Sequence, residues 1–166
     1  MKKILFCILV LLLATACSKP VKTVAPILED ISFDLDVTYY NENYSLKGET
    51  DDSDEMRLTV TEPEELNGMI LTIDDGKLNV EYKGLTHSPT NQELFGNAGI
   101  IIERIFESAE DKIPKDKSDG NYSISGKAQG KEYTFTFSPS GYPIRLEVPT
   151  EGFVAEFSNV TVKRDN

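Results

Sequence analysis

The sequence predicts an α+β chain that is mostly β. The expected architecture is one curved antiparallel sheet of about nine strands, with one main helix inserted between strands five and six and covering the concave face. Three observations predict it. Apolar and polar residues alternate with period two through most of the chain from Phe33 onward. One stretch, residues 97–110, switches to helical spacing. Turn-forming residues divide the remainder at short intervals. Twisted open sheets of this size tend to curl, and a helix of about 13 residues suits the hollow side. A two-sheet sandwich with the helix at one end is the alternative arrangement.

Residues 1–16 have the layout of a secretory signal: Lys2 and Lys3, an unbroken apolar run from Ile4 to Ala14, then the small residues Ala14, Thr15 and Ala16. The run is 11 residues long, whereas a spanning helix needs about 20. Cys17 follows directly, ahead of Ser18, Lys19 and Pro20. This junction resembles the bacterial lipobox, whose Cys thiol takes a diacylglycerol and becomes the new N-terminus. One departure is Ala14, three residues before the Cys, where Leu is usual. Residues 17–30 are expected to form a lipidated tether, with Pro26, Ile27 and Leu28 available to dock on the body. Residues 31–166 form the expected single domain. The expected location is the cell membrane, lipid-anchored through Cys17 on the extracytoplasmic side.

The elements follow in order. Phe33, Leu35, Val37 and Tyr39 alternate with Ser32, Asp34, Asp36 and Thr38. Asn41 to Asn43 turn the chain into Tyr44 and Leu46, and an acidic turn at Asp51 to Asp54 precedes Met56, Leu58 and Val60. Glu62 to Gly68 interrupt the ladder before Ile70 to Ile73. Asp75-Gly76 between Ile73 and Leu78 is a strong hairpin signal, because both central positions of a type I′ turn need positive φ. Leu78, Val80 and Tyr82 complete that hairpin. Thr90 and Glu93 have capping-box spacing ahead of the helix. Ile101/Ile105 and Ile102/Phe106 stand four apart and make its apolar face, leaving Glu103, Arg104, Glu107 and Glu110 for water. Alternation resumes at Tyr122 and Ile124, then at Tyr133 to Phe137, Ile144 to Val148, Phe153 to Phe157, and Val160 with Val162.

Several motifs in this layout resemble the LolA/LolB-type lipoprotein carrier superfamily, nearest to small lipoproteins of Gram-positive type. They are Thr61 to Met69 (TEPEELNGM), Asp75 to Leu78 (DGKL), Tyr82 to Leu85 (YKGL), Ser138 to Pro143 (SPSGYP) and Phe157 to Val160 (FSNV). The resemblance spans roughly residues 31–162. It implies a half-barrel: an open antiparallel sheet closed by helix, with acyl chains bound inside. No lipid-contacting residue of the superfamily is matched to a position here.

Composition narrows the function classes. Removing 16 of 166 residues leaves 150, the size of one domain. Against 17 Lys+Arg stand 28 Asp+Glu, and loss of Lys2 and Lys3 with the signal takes the net charge from −11 to −13. Such a body is repelled by nucleic acid and by anionic lipid headgroups, so neither is an expected partner. His87 is the sole imidazole, and its adjacency to Ser88 does not make a catalytic pair. Asp51 to Glu55 lack the spacing and glycine of a calcium loop, and Glu62, Glu64 and Glu65 read as a turn rather than as paired catalytic carboxylates. No catalytic residue, metal ligand or cofactor is expected, and the chain is read as not an enzyme. The candidate site is apolar: Ile101, Ile105, Phe106, Tyr133, Phe135, Phe137, Leu146 and Phe157 as the lining of a ligand cavity. The same residues serve equally as plain core. The expected function is a membrane-anchored, non-catalytic lipoprotein that binds or carries a lipid, acyl chain or other apolar ligand. The alternative is a cell-surface structural or protein-interaction module with a packed core and an envelope protein as partner.

Overall fold

The computed structural model describes residues 24–51, 55–89, 94–110, 112–116 and 119–163. The signal, Cys17, the middle of the acidic turn and the capping box at Thr90 to Glu93 lie outside the described residues. The chain runs β1 (Ile31–Tyr39), β2 (Glu42–Thr50), β3 (Met56–Glu62), β4 (Ile70–Asp74), β5 (Lys77–Tyr82) and β6 (Leu85–His87). Helix α1 (Leu94–Glu110) follows, then β7 (Lys115–Asp116), β8 (Tyr122–Ala128), β9 (Lys131–Phe137), β10 (Pro143–Val148) and β11 (Phe153–Val162).

All eleven strands belong to one antiparallel sheet, in the order β6-β5-β4-β3-β2-β1-β11-β10-β9-β8-β7. The architecture is the expected one, with two additional short strands, β6 and β7, at the outer edges. The helix accordingly lies between the sixth and seventh strands rather than the fifth and sixth. The topology explains the helix. The chain starts in the middle of the sheet, walks to one edge, and must reach the other edge before it can walk back to β1. Ten interstrand steps of about 4.8 Å would hold the edges of a flat sheet roughly 48 Å apart. A 17-residue helix is about 25 Å long. Curling shortens the path, and α1 crosses the concave face, packed against β4 and β5 on one flank and β8 on the other.

The alternation decides which side is hollow. In β1, Ile31, Phe33, Leu35, Val37 and Tyr39 are all buried, while the residues between them face outward. Asp75 and Gly76 both take positive φ, 46° and 68°, as the type I′ reading of that turn requires. Three irregularities bend the sheet. Between the Ser32–Thr161 and Asp34–Ser158 pairs, β11 carries one residue more than β1. There Asn159 adopts φ 51°, and its side-chain amide donates to Asp34 Oδ2 at 2.7 Å. This gives the FSNV motif a structural role as a β-bulge. Similar shifts fall at Ser45/Leu46 against β3 and at Pro143/Arg145 against β9. The latter leaves Ile144 only partly buried, out of step with Leu146 and Val148.

Segment 24–30 packs on the body. The Ile27 amide donates to Gly141 O at 2.9 Å, and Leu28 is buried. The buried Thr50 hydroxyl donates to Leu28 O at 2.8 Å and accepts from the Ile31 amide at 3.3 Å. Gly141 has φ 89° and stands so close that a Cβ there would lie 2.5 Å from Ala25 O. The SPSGYP motif is thus the seat of the N-terminal segment, closed by the Ser138 amide donating to Tyr142 O at 2.8 Å.

Candidate functional site beneath the helix

All eight residues read from the sequence as a cavity lining lie on the concave side and are buried. Strands β9, β10 and β11 supply Tyr133, Phe135, Phe137, Leu146 and Phe157, and α1 supplies Ile101, Ile105 and Phe106. Phe106 is the keystone. Its ring lies 5.4 Å from Phe135, 5.9 Å from Phe157 and 6.3 Å from Phe33, centroid to centroid. Phe135 also meets Phe137 at 4.3 Å and Phe157 at 5.7 Å. Apart from the closer Phe135–Phe137 pair, these separations fit the tilted ring pairs that aromatic cores favour. The helix sits low because Gly99 has no side chain: a Cβ there would stand 3.1 Å from Ile73 Cδ1.

In this conformation the lining residues fill the space between helix and sheet. Openings of about 30 Å³ beside Phe106 and about 10 Å³ beside Ile101 and Ile105 reach them among the described residues. Sites for small molecules typically run to about 300–1,000 Å³. A ligand of that size fits under α1 only if α1 moves.

Polar groups hold both flanks of the helix. On the β4–β5 side, Glu103 is buried, contrary to the solvent-facing position expected from the sequence. Its Oε1 accepts the Gly76 amide at 2.9 Å. Its Oε2 has no hydrogen-bond partner and lies 3.5 Å from Arg104 Nε. Burial is the first cause that raises the Glu103 pKa above the usual carboxylate value; the Gly76 bond opposes it. Arg104 reaches Glu107 at 2.8 Å and Asp75 at 3.8 Å. On the β8–β9 side, the Lys112 ammonium donates to Ser108 Oγ at 2.9 Å and to Tyr133 Oη at 2.7 Å.

The residues weighed for catalysis stay apart. His87 is exposed on the edge strand β6, and the Ser88 hydroxyl donates instead to Asn79 Oδ1 at 3.0 Å. Glu64 and Glu65 form an exposed 3-10 turn after Glu62. Among the described residues, no group of three or more His, Cys, Asp or Glu is placed to hold a metal ion. Lys112 and the burial of Glu103 escaped the sequence reading. Glu103 could have been found by helical spacing, since it stands four residues after Gly99 and three before Phe106 on the side that meets the sheet.

Among the described residues the fold is one open, curved antiparallel sheet around one α-helix, not closed into a barrel. No protein-family profile matches the sequence, and no curated protein matches it either. Similarity appears among solved structures. An uncharacterized conserved protein from Thermus thermophilus superposes with a TM-score of 0.50 at 9% identity, over 82% of this chain and 80% of that one. A LolA superfamily protein from Nitrosomonas europaea aligns with a TM-score of 0.41 at 14% identity, over 82% of this chain and 86% of that one. A DUF1329 family protein from Desulfovibrio piger gives 0.43 at 12%, over 82% and 87%. At such identities the likeness concerns the fold alone.

Proposed function

We propose that this protein is a non-catalytic lipoprotein, anchored to the extracytoplasmic face of the cell membrane through lipidated Cys17, that binds an apolar chain on the concave face of its sheet when α1 lifts away. The observation that carries the binding reading is that, among the described residues, α1 is the one α-helix lying over the apolar concave face, beside Leu28 of the docked N-terminal segment. Magnitudes support an exchange. Among the described side chains of α1, Ile100, Ile101, Ile102, Ile105 and Phe106 are the large apolar ones that are buried, worth about 8–15 kcal/mol together. A 16-carbon acyl chain taken from water contributes about 12 kcal/mol at roughly 0.8 kcal/mol per buried methylene. The two occupants are matched, so a chain dissolved in water competes with the helix without overwhelming it. The anchor reading rests on the junction of the apolar run with Cys17.

A second reading is favoured by the filled core: a cell-surface interaction module whose helix never lifts and whose partner is an envelope protein. One experiment separates the readings. Cells expressing the parent chain or Cys17→Ser are fractionated, and lipids extracted from the purified proteins are weighed by mass spectrometry. The parent is expected in the membrane pellet, the variant in the soluble fraction, and the variant is expected to carry a stoichiometric acyl lipid. A variant that still pellets sinks the anchor. A variant that is repeatedly empty, and stays empty after incubation with acyl lipid, leaves the interaction module.

A further inference from the structure

The paired cations on this acidic chain mostly face carboxylates: Arg57 and Lys163 meet Glu49, Lys131 meets Glu151, Lys127 meets Glu132, and Arg145 meets Glu147 and Glu156. Lys112, just beyond the end of α1, is different. No described carboxylate pairs with it. Two neutral hydroxyls, Ser108 Oγ and Tyr133 Oη, hold its ammonium, which also lies 4.9 Å from the centre of the Tyr133 ring. The two hydroxyls stand 3.1 Å apart and bridge the helix to β9. An ammonium has three donors, so one remains for a further acceptor. The space it occupies is made by a missing side chain: a Cβ on Gly126 would stand 2.3 Å from Lys112 Nζ.

Beside this ammonium is a hollow of about 260 Å³, lined by Lys112, Ile113, Lys115, Ser123, Ile124 and Ser125. It opens at the sheet edge, where β7 pairs only with Tyr122 and Ser123 of β8. Its lining is mixed in a particular way. Two lysines supply cations, and Ser123 and Ser125 of β8 border the hollow. Ile113 is 75% exposed, an apolar surface with nothing described over it, while Ile124 is buried and reaches the concave core next to Phe135. The hollow therefore sets two lysines beside a strand residue, Ile124, whose side chain belongs to the apolar core beneath the helix.

We infer that this hollow is a headgroup site, in which Lys112 and Lys115 receive the carboxylate or phosphate of a single-chain anionic amphiphile whose tail runs under α1. The inference rests on the apolar binding reading for its tail, and on the Lys112 geometry alone for its head. The net negative charge of the chain argues against docking on an anionic surface, and one isolated headgroup meets this local pair of cations without that penalty. A charge-assisted hydrogen bond in a partly dry site strengthens binding by about ten- to a hundredfold.

Titration calorimetry on the full mature chain carrying Cys17→Ser tests it, with decanoate, decanol and inorganic phosphate as probes. Decanoate is expected to bind at least about tenfold more tightly than decanol. Lys112→Met should erase that difference: the ratio of decanoate to decanol affinity is the readout, because the same ammonium also ties the helix end to Tyr133 and its loss shifts both affinities together. Lys115→Met should reduce it, and Gly126→Ala, which displaces the ammonium, should weaken decanoate selectively; melting temperatures verify that each variant is folded. Phosphate binding that disappears in Lys112→Met supports the site and shows that a free anion also reaches it. Equal affinity for decanoate and decanol, or a preference that survives Lys112→Met in a folded variant, overturns the headgroup site while the apolar face stands. If neither amphiphile binds, the apolar reading falls, and phosphate alone then decides the anion site: binding lost in Lys112→Met keeps it, and no binding ends it.

Discussion

Glu103 shows how one side chain can work against the element it belongs to. It is 2% exposed, one oxygen is satisfied by the Gly76 amide, and the other has no hydrogen bond. Burial raises its pKa first; Glu107 and Asp75 add to the rise, and the Gly76 bond and Arg104 oppose it. The folded state therefore holds a proton at pH values where the unfolded chain has already released it. Stability grows as the pH falls through the raised folded value and the gain is complete below the ordinary carboxylate value, so the ionised form is a burden at neutral pH. Glu103→Gln keeps an acceptor for Gly76 and removes the buried charge. It is expected to be at least as stable as the parent at pH 7 and to lose the stability gain on acidification. Glu103→Ala strands the Gly76 amide and is expected to cost about 1–3 kcal/mol. Urea unfolding of the three proteins at pH 7 and pH 5 measures this, and a Gln variant clearly weaker than the parent at pH 7 refutes it.

At the scale of the element, the strands answer to their alternation and the helix to its position between two edges. Gly48 is where β1 and β2 pack closely beneath the helix. It sits opposite Phe33 in the β1–β2 ladder, and a Cβ on it would lie 2.1 Å from the Phe33 ring. That ring is confined by Phe157 at 5.3 Å and by Phe106 of α1. Gly48→Ala is accordingly expected to lower stability by about 1–3 kcal/mol through overpacking. Gly48→Ala with Phe33→Leu should recover part of the loss; additive losses in a double-mutant cycle would show that the two sites do not clash. The same elements mark how far the sequence could be read. Long alternating runs such as Phe33 to Tyr39 and Tyr133 to Phe137 announce both strand and buried face, because period two leaves no other consistent assignment. The strands β6 and β7, three and two residues long, carry no period to detect. Five of the eight candidate lining residues were legible for the same reason, as inward strand positions, and Ile101, Ile105 and Phe106 from their helical spacing. Whether they line a space or fill it depends on the height of the helix, which Gly99 and Phe106 set through contacts with residues far away in sequence. Lys112 was illegible because its partners, Tyr133 and Gly126, become neighbours only after β8 and β9 fold back.

For the whole molecule, the docked N-terminal segment links stability to the proposed address. From Cys17 to Val24 the chain has seven peptide steps, so its reach is at most about 25 Å. Because residues 24–30 are fastened to the body, under the proposed anchor that short length would govern how far the domain stands from the bilayer. It would also turn one end toward the membrane: the end carrying Gly141, Thr50 and Asp30, whose carbonyl oxygen accepts the Lys163 amide at 2.6 Å. A chain beginning at Glu29 loses the burial of Leu28 and the Ile27–Gly141 hydrogen bond, and it takes from the buried Thr50 hydroxyl its acceptor. Together these are expected to lower the unfolding free energy by about 2–4 kcal/mol, most of it from Leu28. Thr50→Val in the longer chain removes only the hydroxyl and should cost a smaller part of that amount. Urea midpoints of the longer chain, the shorter chain and the Thr50 variant test the argument. Coincident midpoints for the long and short chains would mean that the segment merely rests on the surface, and the tether would then extend to Glu29 and let the domain turn freely beneath its anchor.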